Sequence, residues 1–458
     1  RASVMMQRCM QPRTRRGTAV IVAIWATAIA AIAASAIMLF AFRQAYYGRE
    51  AVARVKARWA ARAGLENMIS AMARDNLDPI PDDAFSLIRD MENLSSQALL
   101  GASYDIQHHR DGVNWRGPLD EHSKLSLNDN SNLGYFTLLD DVTPDITDAL
   151  VDWTDENEDV STFGVERDYY QQLTNSYEPR NGPLRSTVEM ELVAGMWPEY
   201  VRGEDWNMNG RLDANENDGM ASPPEDDADG IMRPAWGQLV TVHSRGGGYG
   251  SSGQERLNLR LSRTEDVVER LGVTEEKAEA LLAFATLSQP LERLITSSLS
   301  SLVGGTNGIS ADDDGDNNTV ERNETIDLSD SELRLVLADC SVDDPRAGPP
   351  PGRLNINTVS ESLLRQMFSD ESTEYLADEL LYLRNSRSEG VTSLVDLRDI
   401  PNITDSEIDR LAQQFDVRSN VFMVSSVGRA ETSGLTVEIV AIVDRSTLPV
   451  KILEYREQ

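Results

Sequence analysis

From Thr18 to Phe42 the chain runs for 25 residues without a charged side chain. At about 1.5 Å per residue, a helix of that length reaches about 37 Å, more than the ~30 Å hydrocarbon core of a bilayer. Beyond Phe42 the apolar run gives way to an amphipathic pattern without a proline. Val52, Val55 and Trp59 fall at i, i+3 and i+7, and Leu65, Met68, Ile69 and Met72 at i, i+3, i+4 and i+7. That spacing predicts a continuous helix with one stripe turned to a core, ended by Asp78-Pro79. The segment before the span is basic and ends Arg15-Arg16-Gly17. Three readings of this end stand side by side. One is an uncleaved anchor. Another is a secretory signal cut at Ala34-Ser35-Ala36, although the apolar run continues past that point. The third is a leader removed between Gly17 and Thr18, which leaves the span as the start of the mature protein. Five arginines before the span and six basic residues between Arg43 and Arg62 leave its orientation undecided by charge.

The middle of the chain repeats a pattern three times. Lys124-Leu125-Ser126-Leu127-Asn128, Arg256-Leu257-Asn258-Leu259-Arg260 and Arg353-Leu354-Asn355-Ile356-Asn357 each open with a basic residue and alternating apolar positions. Further on, Val142-Thr143, Val273-Thr274 and Ile403-Thr404 each carry a Leu seven residues after the Thr, at Leu150, Leu281 and Leu411. Thr is an N-cap, and Asp145, Glu275 and Asp405 sit where a helix dipole favours acids. Each copy therefore predicts a short extended segment, a helix, a tight hairpin and a second helix. Such units bury their faces against neighbours.

The carboxyl end changes period. Val421–Arg429 and Leu435–Asp444 read as strands joined through Glu431-Thr432-Ser433-Gly434, and Val450–Tyr455 as a third. Tyr104–Trp115 reads as a strand upstream. The sheet is therefore expected to be split in sequence, with the helical copies inserted between its parts. The units expected are 1–17, a leader; 18–42, the span; 43–123, the rest of the helix and the first part of an α/β domain. They continue with helical units at 124–255, 256–352 and 353–418, and with closing strands at 419–458.

Charge narrows the function. The chain holds 43 Lys and Arg against 75 Asp and Glu, a net charge of −32. Residues 1–75 carry 12 basic and three acidic side chains, so the remainder stands at −41. A body of that charge repels phosphate backbones and attracts divalent cations. Helix–hairpin–helix units that grip DNA present glycine-rich hairpins. Here Leu271-Gly272-Val273-Thr274 keeps one glycine and Ile400-Pro401-Asn402-Ile403 none, which favours protein-facing or structural units over nucleic acid. Two cysteines, Cys9 and Cys340, allow one bridge, and none once residues 1–17 are removed. His108, His109, His122 and His243 lack zinc-ligand spacing.

Oxygen ligands are the chemistry that the sequence does offer. Asp205, Asn207, Asn209, Arg211 through its carbonyl, Asp213 and Glu216 stand at positions 1, 3, 5, 7, 9 and 12 of a twelve-residue EF-hand loop. Gly210 supplies the sharp turn and Leu212 the inward apolar residue. This set predicts calcium. Asp312, Asp314 and Asp316, with Glu321 and Glu324, offer ligands without that spacing, and Asp152-Trp153-Thr154-Asp155-Glu156 forms a third acidic group with an open role. Gly248-Tyr249-Gly250-Ser251-Ser252-Gly253 spells GxGxxG but leads into a repeat opening, and reads as a flexible loop. No GxSxG, P-loop or HExxH motif appears, and the chain is expected not to be an enzyme.

An ordered set of motifs resembles one family, general secretion pathway protein K, the K-type minor pseudopilin of type II secretion. The set comprises the leader ending at Gly17, Lys124-Leu125-Ser126-Leu127-Asn128, and Leu150-Val151-Asp152-Trp153 with Asp155. It continues with Gly164-Val165-Glu166 and Tyr169-Tyr170, Pro183-Leu184-Arg185-Ser186 with Glu189-Met190, and Leu354-Asn355-Ile356-Asn357-Thr358. The resemblance implies an α+β, pilin-like fold interrupted by a large all-α insert of helix–hairpin–helix or SAM-like repeats. It implies cleavage by prepilin peptidase at Gly17 and Thr18, a single inner-membrane span with the bulk in the periplasm, and calcium there. It also implies assembly with minor pseudopilins I and J and other pseudopilus subunits, the helix beyond the span being expected to dock along the I- and J-like stems through Val52, Val55 and Trp59. Acidic insertions at about 203–230 and 305–330 depart from the family pattern. Pilin-like subunits generally carry Glu at the fifth mature position, where it meets a neighbour's terminal amine. Here that residue is Val22, which fits a subunit with none above it, since a lone carboxylate in lipid costs about 2.5–3.5 kcal/mol. The alternatives are a minor pilin of a type IV-like pilus and a helix–hairpin–helix DNA-binding protein.

Overall fold

The computed structural model describes residues 16–224, 226–304, 326–344 and 346–458. Helix α1 (Arg16–Leu77) runs unbroken for 62 residues and stops before Asp78-Pro79, as a residue preceding proline is driven out of the helical region. It is long and apolar enough to cross a membrane, and its apolar part is exposed throughout. From Ala53 onward one face is buried, through Ala53, Ala57, Ala60, Ala61, Leu65, Met68 and Met72. The stripe at Leu65–Met72 faces the core as the spacing predicts. Val52, Val55 and Trp59 do not belong to it and point the opposite way.

After α1 come α2 (Ser86–Leu94), β1 (Ser96–Leu99), β2 (Ala102–Arg110), β3 (Val113–Arg116) and β4 (Leu119–Asp120). The single strand expected over Tyr104–Trp115 is a hairpin. Asp111 and Gly112, at φ 50° and 74°, turn the chain between β2 and β3, and an Asp-Gly pair suits a turn with both central residues left-handed.

The helical insert is held by three short parallel ladders. β5 (Leu125–Ser126) pairs with β6 (Val240–Thr241), β7 (Leu257–Asn258) with β8 (Cys340–Ser341), and β9 (Leu354–Asn355) with β10 (Phe415–Asp416). The first strand of each pair is one of the repeat openings. The three Thr residues precede helices Pro144–Thr154, Glu275–Ala285 and Asp405–Gln414. Thr274 and Thr404 accept the amides of Lys277 and Glu407, whereas Thr143 makes no such bond. The first and third copies share one apolar cluster, in which Leu125, Phe136 and Leu150 lie with Leu354, Leu380 and Phe415. The second copy builds its own around Leu271, Leu281, Phe284 and Val336.

Strands β11 (Val421–Ala430), β12 (Thr436–Asp444) and β13 (Lys451–Glu457) complete an antiparallel sheet of order β1-β2-β11-β12-β13, with β3 on β2 and β4 on β11. The sheet is split in sequence, because β2 pairs with β11 across the whole insert. Asp120 ties the two crossings together. Its carboxylate accepts the hydroxyls of Thr358 and Ser419 at 2.5 Å each and the amide of His122 at 2.8 Å. The result is a mixed helix and antiparallel-sheet fold with an apolar amino-terminal helix, as a pilin-like α+β protein requires.

The glycine-rich segment is not a free loop. A Cβ on Gly248 would lie 2.0 Å from the Ser446 carbonyl oxygen, and one on Gly250 would lie 1.9 Å from Asp339 Oδ1. The glycines are there for close packing.

Helix α1 meets the sheet with equal closeness. A Cβ on Gly428 would lie 1.9 Å from the Ala57 carbonyl oxygen and 2.5 Å from the Ala61 amide nitrogen. Gly428→Val should therefore push α1 off β11 and cost about 3 kcal/mol or prevent folding. Gly134→Ala, with nothing within 4 Å of the added carbon, should leave stability unchanged or raise it slightly. Thermal melts of the detergent-solubilised chain compare the two. Equal melting temperatures for both variants would show that the contact at Gly428 does not hold the helix.

Candidate functional site

The segment after helix Pro198–Arg202 coils tightly, with Met208 at φ 52° and Gly210 at φ 73°. The coil gathers the predicted oxygen ligands. Asp205, 3% exposed, accepts the amides of Asn209 and Gly210, both at 2.9 Å, and Gln238 Nε2 at 3.3 Å. Asn207 Oδ1 accepts the Asn209 amide, and Asn209 Oδ1 accepts that of Arg211. Glu216, 1% exposed, accepts the amides of Asp213 at 3.1 Å and Asn207 at 3.3 Å. Asp213 Oδ2 accepts the side-chain amides of both Asn207 and Asn209.

One member escaped the sequence reading. Glu438 on β12 accepts the Asn209 side-chain amide through both oxygens at 3.1 Å, fastening the loop to the sheet. Arg456 on β13 donates to the carbonyls of Asn207 and Met208. Burial pushes Asp205 up to about 6 and Glu216 up to about 7, the latter also through the charge of Asp205. The donor types fit a hard cation. However, no exit helix follows, only the turn Ala214–Glu216, and the carboxylates are engaged by the loop's own amides. Among the described residues, no three His, Cys, Asp or Glu side chains converge as a metal cluster.

A second pair of carboxylates is more exacting. Asp152, fully buried near the end of helix Pro144–Thr154, accepts the Ser161 amide at 3.1 and 3.2 Å. Glu166 is 5% exposed, and no side chain donates to either of its buried oxygens. Burial first, then the charges of Asp152, Asp155 and Glu158, push its carboxyl up to about 7. Gly164 makes the approach feasible, since a Cβ there would lie 2.1 Å from Asp152 Oδ2. Trp153 fixes the helix. Its ring meets Tyr170 at 5.2 Å, and its Nε1 donates to Glu189, which also binds Arg180. A buried carboxylate without a cationic partner, held by no more than the Arg167 amide, favours a proton or a cation. The sequence reading placed Asp152 and Asp155 in an acidic group of open role and quoted Glu166 only for its likeness; periodicity does not reveal burial.

Residues 131–203, which hold both Asp152 and Glu166, match the family model of the type II secretion system (T2SS), protein K. The chain carries a domain of the type II secretion protein K family. The expected function, a minor pseudopilin of type II secretion, stands on that match. No curated protein matches the chain. Among solved structures, it is similar to a chain of the GspK–GspI–GspJ complex from the enterotoxigenic Escherichia coli type 2 secretion system. Identity is 11% and the TM-score 0.36, over 90% of this chain and 99% of that one. The likeness is loose, and the family rests on the domain match. The protein K domain ends just before Asp205, so the twelve-residue loop lies beyond the matched segment.

The other predicted positions spread along α1. Gly17 and Thr18 lie in its first turns, and Val22 is exposed on its apolar part. Val52, Val55 and Trp59 are 57%, 54% and 68% exposed, on the face turned away from the sheet. Asp312, Asp314, Asp316, Glu321 and Glu324 lie outside the described residues.

Glu166 makes stability depend on pH in a defined direction. Its folded value of about 7 lies above the ordinary 4.5, so the fold holds a proton that the unfolded chain releases between those values. Stability is therefore lost as pH rises from 4.5 through 7 when no cation is present. In chelator the melting temperature of the chain should fall across that window, and Glu166→Gln should flatten part of the fall. A profile that is level from 4.5 to 7 and unaltered by Glu166→Gln would contradict the buried, unpaired carboxylate.

Proposed function

We propose that this minor pseudopilin sits at the tip of the type II secretion pseudopilus and serves export as a structural subunit, not as an enzyme. The observation that carries the reading is the outward face of α1. Val52, Val55 and Trp59 form an apolar stripe on a helix whose opposite face is already satisfied by its own sheet. Apolar side chains held in water at regular helical spacing fit packing against neighbouring stems. The K, I and J subunits of the solved E. coli complex assemble together, and I- and J-type pseudopilins are the partners proposed for this face. The bulk of the helical insert, read as helix–hairpin–helix or SAM-like repeats, is proposed to block a further subunit from stacking above. Val22 in place of an acid supports the same one-sided position. The −41 charge of the body beyond residue 75 weighs against the DNA-binding alternative.

The span is read as a single inner-membrane pass, with the bulk in the periplasm and the leader cut by prepilin peptidase between Gly17 and Thr18. Calcium is proposed as a structural cofactor, held by Asp152 and Glu166 in the protein K domain and by the loop from Asp205 to Glu216. Bound calcium would neutralise carboxylates that otherwise repel one another. A type IV-like minor pilin remains the second reading, as the exposed stripe suits any pilus stem.

Co-purification of the full-length chain with its I- and J-type partners in detergent tests the proposal. A discrete complex of small, fixed stoichiometry is expected, with Thr18 as the first residue of the mature chain. Because Trp59 is exposed, Trp59→Asp should weaken the complex by roughly tenfold or more without lowering the melting temperature of the free chain. Self-polymerisation of the purified chain, or a complex indifferent to Trp59→Asp, would count against the stem face and the tip position.

A further inference from the structure

Between the loop that follows α1, at Pro81 and Asp82, and the second and third helical copies lies a cleft of about 540 Å³, well within the range of small-ligand sites. Three arginines, Arg256, Arg334 and Arg418, border it, together with the acids Asp82 and Asp416. Arg334 is already committed to Asp396. The other two are not fully matched. Arg256 donates to the Leu337 carbonyl, while its Nε is buried without an acceptor. Among the described residues the guanidinium of Arg418 makes no hydrogen bond and no ion pair within 4 Å.

The acids that act on Arg418 from a distance have other partners. Asp75 holds Arg445 at 2.5 Å, and Asp339 accepts the hydroxyls of Ser251 and Ser252. Asp416 accepts the Val417 amide. The Arg418 guanidinium is half-buried and borders the cleft with its donors free to take a ligand. Its planar fork matches the oxygens of a carboxylate or a phosphate, two at a time.

We propose that this cleft binds a small oxyanion, a carboxylate or a phosphate, on Arg418 with Arg256 beside it. The site stands apart from the protein K domain match and from the outward face of α1, and it does not depend on the tip position.

Calorimetric titration of the full-length chain in detergent, at constant ionic strength set by sodium chloride, tests it. Citrate and inorganic phosphate serve as separate probes, and the one that binds more tightly identifies the carboxylate or phosphate source. One saturable site is expected, with Arg418→Gln weakening binding roughly tenfold or more. Arg346→Gln, at an exposed position outside the cleft, should bind as the parent does. Thr392 also lines the cleft, so Thr392→Asp should supply a tethered carboxylate, abolish binding and leave the melting temperature unchanged or raised. Absence of saturable binding of either probe at millimolar concentration would overturn the proposal. So would an Arg418→Gln protein that melts like the parent and binds with the parent's affinity.

Discussion

Backbone meets backbone where α1 crosses β11, and that contact sets the geometry of the rest of the molecule. Ala57, Ala61 and Gly64 on the helix oppose Gly428 and Ser426 on the strand, and neither side has room for larger side chains. The close approach fixes which face of α1 is buried, and by exclusion which face is presented outward. Below the seam, Leu65, Met68 and Met72 fill the space against Tyr104, Ile106 and Phe422. At its end, Asp75 and Asn76 clamp Arg445, so that the helix is locked to the exit of β12. A long helix half outside the globular body would otherwise pivot. Held at both points, its buried half keeps a fixed direction relative to the globular body.

The insert obeys a similar economy. It leaves the sheet after β4 and returns into β11, and Asp120 bonds both the third repeat opening, through Thr358, and the returning segment, through Ser419. The first and third copies then fuse into one apolar cluster, and the second packs beside them through its own. Electrostatics oppose this compactness, since the body is strongly acidic. Most buried acids find a partner, as Glu189 does in Arg180 and Asp396 in Arg334 and Arg387. Glu166 does not, and so the protein K domain is where an external cation would contribute most.

Local signals were legible in the sequence, and long-range ones much less so. The repeat openings became strands, Thr143, Thr274 and Thr404 became N-cap positions, and the Glu431–Gly434 turn joined two strands, because each depends on residues a few positions apart. The Asp111-Gly112 turn carried an equally local signal that the strand reading of Tyr104–Trp115 passed over. What pattern alone could not give was partnership across the chain. Glu438 meeting Asn209, the first and third copies sharing a core, and the packing of Gly248 and Gly250 all join residues far apart in sequence. Periodicity revealed that the Val52–Trp59 face is apolar, not what covers it.

The position of this subunit in the assembled pseudopilus is the most direct test of its role. Full-length chain carrying a small electron-dense label at the carboxyl end, incorporated into pseudopili and imaged by electron microscopy, gives that position. A subunit whose stem packs on one side only should place a single label at one end of each filament. Labels repeated along the shaft would contradict the tip role and favour a minor pilin built into the body of the fibre.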